Sequence, residues 1–405
     1  MVAARSLAGL LALGLVAAAC GADEDASAED TVPTTAPEEG QQTTTTGASE
    51  DDGEEGDDPD TTEDGGDAEG AAAPFDEERC ATNEAMGTVT YISSFDFAAS
   101  GGIVDVIAAE AEGFFDEVCL DVEIQPGFVP SNGQVVASGQ AQFSSAGSFG
   151  ELVNSNVNGD AGLVAIGQYG HTAIEALLVP ADSEIETLAD VEGTTMGIKG
   201  DVPYSLQVML ADAGVERGSY EEILLDGFDP VAHLELGIDS LPVYKSNEPA
   251  QLDAQGIEYR MFDPLDEDIP ASFGIMFTSQ SFLDENPTVV QDFMRASLKG
   301  MEWAMENQEE AVAHCFDLIN AAGNPNFLAE EGEGFRWTTE SALIEDTTPE
   351  GYAIGQLVTP RLGDEIGALT EVGVFAEEPD YESMFDTSVV DELIDGEGDV
   401  SWPGE

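Results

Sequence analysis

Residues 88–124 read TVTYISSFDFAASGGIVDVIAAEAEGFFDEVCLDVEI, and this stretch decides the fold. Thr88–Ile92 is rich in β-branched and aromatic residues, the composition of a strand. A turn containing Gly101 and Gly102 follows, and Val104–Glu112 then carries apolar residues at helical spacing. Leu120–Ile124 returns to strand character. Strand, helix and strand in such quick succession form a βαβ unit, which sets two parallel strands side by side with the helix on one face.

The same alternation runs outward from there. Strands are expected at Ala141–Ser144, Leu163–Gly167 and Ala176–Val179, with helices at Gly133–Gly139 and Ser148–Asn154. A second set places strands at Thr195–Ile198, Glu222–Leu225, Ser240–Tyr244 and Tyr259–Phe262, with helices at Pro203–Ala213, Pro230–Leu236 and Pro249–Gln255 between them. Phe273–Thr278 is one more strand, Thr288–Asn307 and Glu309–Ala321 are long helices, and the rest to Glu405 is mostly helical. Ala176–Val179 leads out of the first set and Phe273–Thr278 leads back. The expected architecture is α/β in two lobes, each a mainly parallel sheet flanked by helices. Lobe I takes residues 80–181 and 271–405, and lobe II takes 182–270. Two such sheets facing each other make a cleft at the carboxyl ends of their strands.

The charge is extreme, with 84 acidic residues against 10 basic ones and a net charge of -74. Such a surface repels phosphates, which excludes nucleic acid as a partner and argues against docking on anionic lipid. An acidic surface suited to salty surroundings is the plain reading; cation capture is the sharper one. The chain has no Asp-x-Asp-x-Asp-Gly loop for a cation, and no zinc-ligand spacing, so no metal and no cofactor are expected.

Arg5 and the apolar run Leu7–Ala19, ending at Cys20, have the layout of an export signal and are too short for a comfortable membrane span. Cys20 after three alanines resembles a bacterial lipobox, whose cysteine is lipidated once signal peptidase has cut before it. The alternative is plain secretion. Residues 21–79 hold 22 of the acids among Thr, Gly, Ser and Pro, with almost nothing to bury. They are expected to form a disordered acidic linker, on the order of 40 Å long as a flexible coil. Of the other cysteines, Cys80 and Cys119 are expected to pair in an oxidising compartment, and Cys315 reads as a small core residue on a helix.

Five segments resemble one known family. Ala108–Glu117 with its Gly113-Phe114-Phe115, continued by Leu120-Asp121-Val122-Glu123, is the first. Val136–Phe143, Ile185–Ile198 with Leu188-Ala189-Asp190 and Glu192-Gly193, Leu234–Ser240 and Phe282–Gly300 follow in the family's order. They are similar to periplasmic-type solute-binding proteins for sulfonates, taurine, nitrate and thiamine-pyrimidine precursors. The resemblance covers roughly residues 88–320; Cys119 stands where the family usually has Gly, and the region past 325 is poorly matched. It implies a type II periplasmic-binding-protein fold, a small-molecule ligand, delivery to an ABC permease and a monomer. With the lipobox it implies a lipid anchor on the extracellular face of the cytoplasmic membrane.

Four loops are candidate ligand contacts. In the first, Ser94, Phe95, Phe97 and Ser100 offer hydroxyls and rings ahead of a helix N-terminus, or else form a strand–helix turn with the rings in the core. Ser145 and Ser148 in the second offer small polar groups, with Ser148 equally suited to capping. The third supplies Lys199 and Tyr204, and the fourth Lys245, Asn247 and Glu248. Lys199, Lys245 and Lys299 are the only lysines, and the first two fall at strand ends facing the cleft; a surface ion pair is the alternative. Tyr169 and His171 lie near the crossing. Rings with amide, carboxylate and hydroxyl partners suit a flat polar heterocycle, a pyrimidine precursor or a flavin-like ring. A sulfonate, taurine or nitrate ligand would want arginine, which these loops lack. Some relatives in the wider fold family make the thiamine pyrimidine using a histidine in the first loop and a cysteine-rich motif. Residues 93–102 contain no His, and no Cys cluster exists, so a receptor rather than an enzyme is expected.

Overall fold

Asp76 opens the body by capping its first helix, accepting from the N–H groups of Glu78 at 3.0 Å and Arg79 at 2.9 Å. That helix, α1 (Glu77–Met86), begins inside the segment expected to be linker. The cap and the two acids of the first turn are local helix signals that bulk acidity masked. The computed structural model describes residues 75–403 except 128, 228 and 323–328. The expected signal at 1–20, Cys20 and the rest of the linker lie outside the described residues.

After α1 come β1 (Thr88–Ile92), α2 (Val104–Ala111), α3 (Phe114–Glu117) and β2 (Asp121–Gln125). Then come α4 (Val129–Ala137), β3 (Phe143–Ala146), α5 (Phe149–Gly159) and β4 (Leu163–Gly170). The chain continues through β5 (Glu175–Pro180), β6 (Thr195–Ile198), α6 (Tyr204–Asp212), β7 (Glu221–Leu224) and α7 (Pro230–Glu235). Next are β8 (Leu241–Tyr244), α8 (Glu248–Ala254) and β9 (Tyr259–Phe262). It returns by β10 (Phe273–Ser279) and ends in α9 (Gln280–Glu285), α10 (Pro287–Glu306), α11 (Gln308–Ala322), α12 (Glu330–Thr347), α13 (Thr359–Glu371) and α14 (Ser388–Asp391).

The first lobe holds a five-stranded sheet in the order β2-β1-β3-β10-β4. β1 runs parallel to β2 and β3, whereas β10 is antiparallel to both β3 and β4. In the second lobe β5 is antiparallel to β8 and β9, and β6 is parallel to β7. A bridge from Met196 to Ser240 joins β6 to β8. The sheets are therefore mixed rather than mainly parallel, because the strand entering each lobe from the other runs against its neighbours. β5, expected as the last strand of lobe I, hydrogen-bonds within the second sheet instead.

Helices α2 and α10 cover the first sheet. At Gly300 they approach so closely that a Cβ would stand 2.2 Å from the carbonyl oxygen of Asp105, a contact that only glycine permits. Phe143 and Phe293 stack beneath them with centroids 3.8 Å apart. Cys315 is buried in the same core. Cys80 and Cys119 are joined in a disulfide that ties α1 to the turn before β2. Cys119 has φ 61°, the left-handed region that glycine takes most readily, which accounts for glycine at this place in the resembling family.

Candidate ligand-binding cleft

The loops after β1, β3, β6 and β8 converge where the two lobes meet, at the strand ends where open α/β sheets bind ligands. Ser148 and Glu151 at the start of α5 face Glu175 of β5, Tyr204 and Ser205 of α6, Ser272 before β10 and Glu365 of α13. They surround about 20 Å³, room for roughly one water molecule, so any larger ligand requires the lobes to part.

Each carboxyl here is held by hydrogen bonds. Glu365 accepts from Gly150 N–H at 2.8 Å and from Ser272 Oγ at 2.7 Å, and Ser272 Oγ in turn accepts from Phe149 N–H at 2.9 Å. Glu151 accepts from Gly147 N–H at 3.1 Å, and Glu175 accepts from Ser205 Oγ at 3.2 Å. Burial is the chief cause that pushes Glu151 and Glu365 up to about 7, and the neighbouring carboxyls add to it. Burial raises Glu175 as well.

A second group lies where α12 crosses from one lobe to the other. Glu333 accepts from Ala99 N–H at 2.9 Å and from Arg336 Nε at 3.2 Å. Arg336 also donates to Asn247 Oδ1 at 3.2 Å. Glu340 accepts from Gly101 N–H in lobe I at 3.0 Å and from Ser246 Oγ in lobe II at 2.6 Å. Burial pushes Glu340 up to about 7.

The residues singled out from sequence divide among these groups. Ser148 and Tyr204 line the central cavity. Lys199 pairs with Glu248, which also accepts from Tyr244 N–H at 2.9 Å, and Lys245 pairs with Asp263 at 2.9 Å. Both lysines are thus in ion pairs, but largely buried ones rather than the surface pairs of the alternative reading. Ser145 donates to the carbonyl of Gly102 at 2.6 Å and so braces the first loop. Ser94 and Ser100 are half-buried, and Phe95 packs partly against the core. Phe97 and Tyr169 are packed inside the first core, and Tyr169 donates to Asp105, so of the aromatic candidates only Tyr204 borders the cavity. Phe97 lies in the loop after β1 and takes the core alternative, and Tyr169 lies on β4, which is buried along its whole length.

His171 sits in the crossing between β4 and β5 with neither ring nitrogen hydrogen-bonded. Burial, then the charge of Arg361, pushes it down to about 4. Arg361 donates to its carbonyl at 3.2 Å. Glu151, Glu175, Ser205, Ser272, Glu333, Arg336, Glu340 and Glu365 were not expected here. Among 84 acids a single glutamate carries no signal, but the 10 basic residues are few enough that Arg336 was open to the same scrutiny as the lysines.

A family model described as NMT1/THI5 like matches residues 102–311. The chain belongs to the NMT1/THI5-like family. It is 27% identical over 244 residues to the formylaminopyrimidine-binding protein of Halalkalibacterium halodurans, covering 58% of this chain and 72% of that one. It is 30% identical over 146 residues to the riboflavin-binding protein RibY of Chloroflexus aurantiacus, covering 35% of this chain and 40% of that one. Among solved structures, the periplasmic aliphatic sulphonate binding protein SsuA of Escherichia coli superposes with a TM-score of 0.52 at 14% identity, over 73% of this chain and 91% of that one. The desulfurization enzyme DSZB superposes with a TM-score of 0.52 at 14% identity, over 75% of this chain and 98% of that one. These likenesses establish the type II periplasmic-binding-protein fold. The fold hosts enzymes as well as receptors, so it does not by itself assign the chemistry.

Proposed function

We propose that this member of the family is the solute-binding component of an ABC importer and captures a small flat heterocycle, a pyrimidine precursor or a flavin-like ring. The observation that carries the reading is the cleft between two lobes, lined by hydroxyls and carboxyls beside apolar side chains, in a family whose curated relatives are binding proteins for a formylaminopyrimidine and for riboflavin. Tyr204 supplies a ring face, and the hydroxyls of Ser148, Ser205 and Ser272 with the flanking carboxyls supply orientation. Among the described residues the one free cysteine, Cys315, is buried in the core with its thiol pushed up by burial, which is the wrong environment for a nucleophile.

A ligand that binds only the folded state must stabilise it, by about 2.7 kcal/mol at a concentration 100 times its Kd. Thermal denaturation with a formylaminopyrimidine, riboflavin, ethanesulfonate and nitrate is expected to show stabilisation by one of the two ring compounds. Stabilisation by ethanesulfonate or nitrate alone would sink the heterocycle assignment, and conversion of any of them to product would sink the receptor assignment.

On the same reading Cys20 carries diacylglycerol and holds the receptor, as a monomer, at the extracellular face of the cytoplasmic membrane, with the acidic segment as its leash. Mass spectrometry of the N-terminal peptide of membrane-extracted protein is expected to find the lipid. An unmodified thiol, or a chain cut beyond Cys20, would remove the anchor and leave the receptor reading standing.

A further inference from the structure

The turn between β1 and α2 presents main-chain N–H groups toward the cleft, the kind of donor array that holds anions. In this protein the array is already filled. Ala99 N–H donates to Glu333 and Gly101 N–H to Glu340, at 2.9 and 3.0 Å. Both glutamates come from α12, seven residues apart and so on one side of the helix, and both are almost fully buried. The strand end after β3 is filled in the same way, Gly147 N–H by Glu151 and Gly150 N–H by Glu365. The cations nearby are also engaged: Arg336 with Glu333 and Asn247, Lys199 with Glu248 and Lys245 with Asp263.

Glu340 is the pivotal member. One of its oxygens takes Gly101 N–H of lobe I and the other takes Ser246 Oγ of lobe II, so the carboxyl bridges the loops after β1 and β8. An anionic group reaching for these N–H donors would have to displace a carboxylate and then remain beside it in a water-poor cleft, where like charges repel strongly. A neutral ring donating N–H, or a protonated amine, meets acceptors instead.

We propose that Glu340 is a specificity-determining residue that closes the main-chain donor site to anions, so that the cleft selects neutral or positively charged ligands. This rests on the reading of the cleft as the ligand site. Because burial raises Glu340 to about 7, the discrimination sharpens as pH rises through that value and the carboxyl ionises.

The test uses three pyrimidines of matched size bearing an aminomethyl, a hydroxymethyl or a carboxylate group, titrated calorimetrically into the full chain at pH 8. The carboxylate is expected to bind at least tenfold more weakly than the hydroxymethyl compound. Glu340→Gln, which keeps the shape and loses the charge, is expected to shrink that ratio at least threefold, while Glu340→Asp keeps it. A carboxylate that binds the native chain as tightly as the neutral compound overturns the proposal, and so does a ratio that Glu340→Gln leaves unchanged. If none of the three binds, the heterocycle reading fails and ethanesulfonate decides the present one by thermal shift. Stabilisation of Glu340→Gln but not of the native chain supports it; stabilisation of the native chain, or of neither, overturns it.

Discussion

Replacing Trp337 by Ala is expected to cost about 3–5 kcal/mol and to loosen α12 from the cleft, even though the indole touches no ligand loop. Trp337 is fully buried in the first core. Its Nε1–H donates at 3.0 Å to the carbonyl of Ala304, in the last turn of α10, where carbonyls lack partners within their own helix. The substitution removes a large apolar side chain, leaves a cavity and strands that carbonyl. Glu333, Arg336 and Glu340 all ride on α12, within about one turn of Trp337. Denaturant unfolding measures the loss, and amide exchange locates it. Ala99 and Gly101 N–H groups should lose protection while β1 and β2 keep theirs. Trp337→Phe retains most of the burial and should recover more than half of the stability. A loss under about 1 kcal/mol for the alanine variant would show that α12 is held by something other than this anchor.

Raising the pH from 6.5 to 8.5 is expected to lower stability by about 2 kcal/mol. Asp105, Glu340 and Glu365 are each pushed up to about 7, chiefly by burial. A carboxyl with a raised folded-state pKa stabilises fully below its ordinary value, and that contribution is lost as pH rises through about 7. Each such group loses somewhat under about 1 kcal/mol across the interval, and three together lose about 2. Glu151, half-buried and also raised to about 7, adds in the same sense. His171 acts with the opposite sign. Pushed down to about 4, it contributes stability above its ordinary 6.5 that is lost as pH falls toward 4, so its window lies mostly below the one chosen. Unfolding at pH 6.5, 7.5 and 8.5 should show the decline, and Glu365→Gln should flatten it. A level or rising profile would mean that these carboxyls are ionised in the folded chain at neutral pH.

Strands β1, β6 and β9 begin and end at the residues that sequence pattern assigns them, Thr88–Ile92, Thr195–Ile198 and Tyr259–Phe262. Each is a short run of mostly apolar, aromatic or β-branched residues between turns, and that information is local. Pairing is not local. β5 reads equally well as the end of one sheet or the start of another, and only its hydrogen bonds to β8 and β9 decide. The cleft loops were legible as glycine- and serine-rich turns after strands. The burial of Tyr169 was not, because β4 is buried along its whole length and no alternation marks a cleft face; for Phe97 the loop left core and cleft both open, and packing decided for the core.

The sequence by itself determined the order of strands and helices, the family and its fold, and the loops that reach the cleft, because periodicity and turn chemistry act between near neighbours. Only the tertiary structure decided what fills those loops. Ala99 meets Glu333 across 234 residues and Gly101 meets Glu340 across 239, with no pattern in the intervening chain to announce either contact. In so acidic a chain the carboxyls that matter are set apart by burial and by the N–H groups they reach, and both arise only when α12 packs across the two lobes.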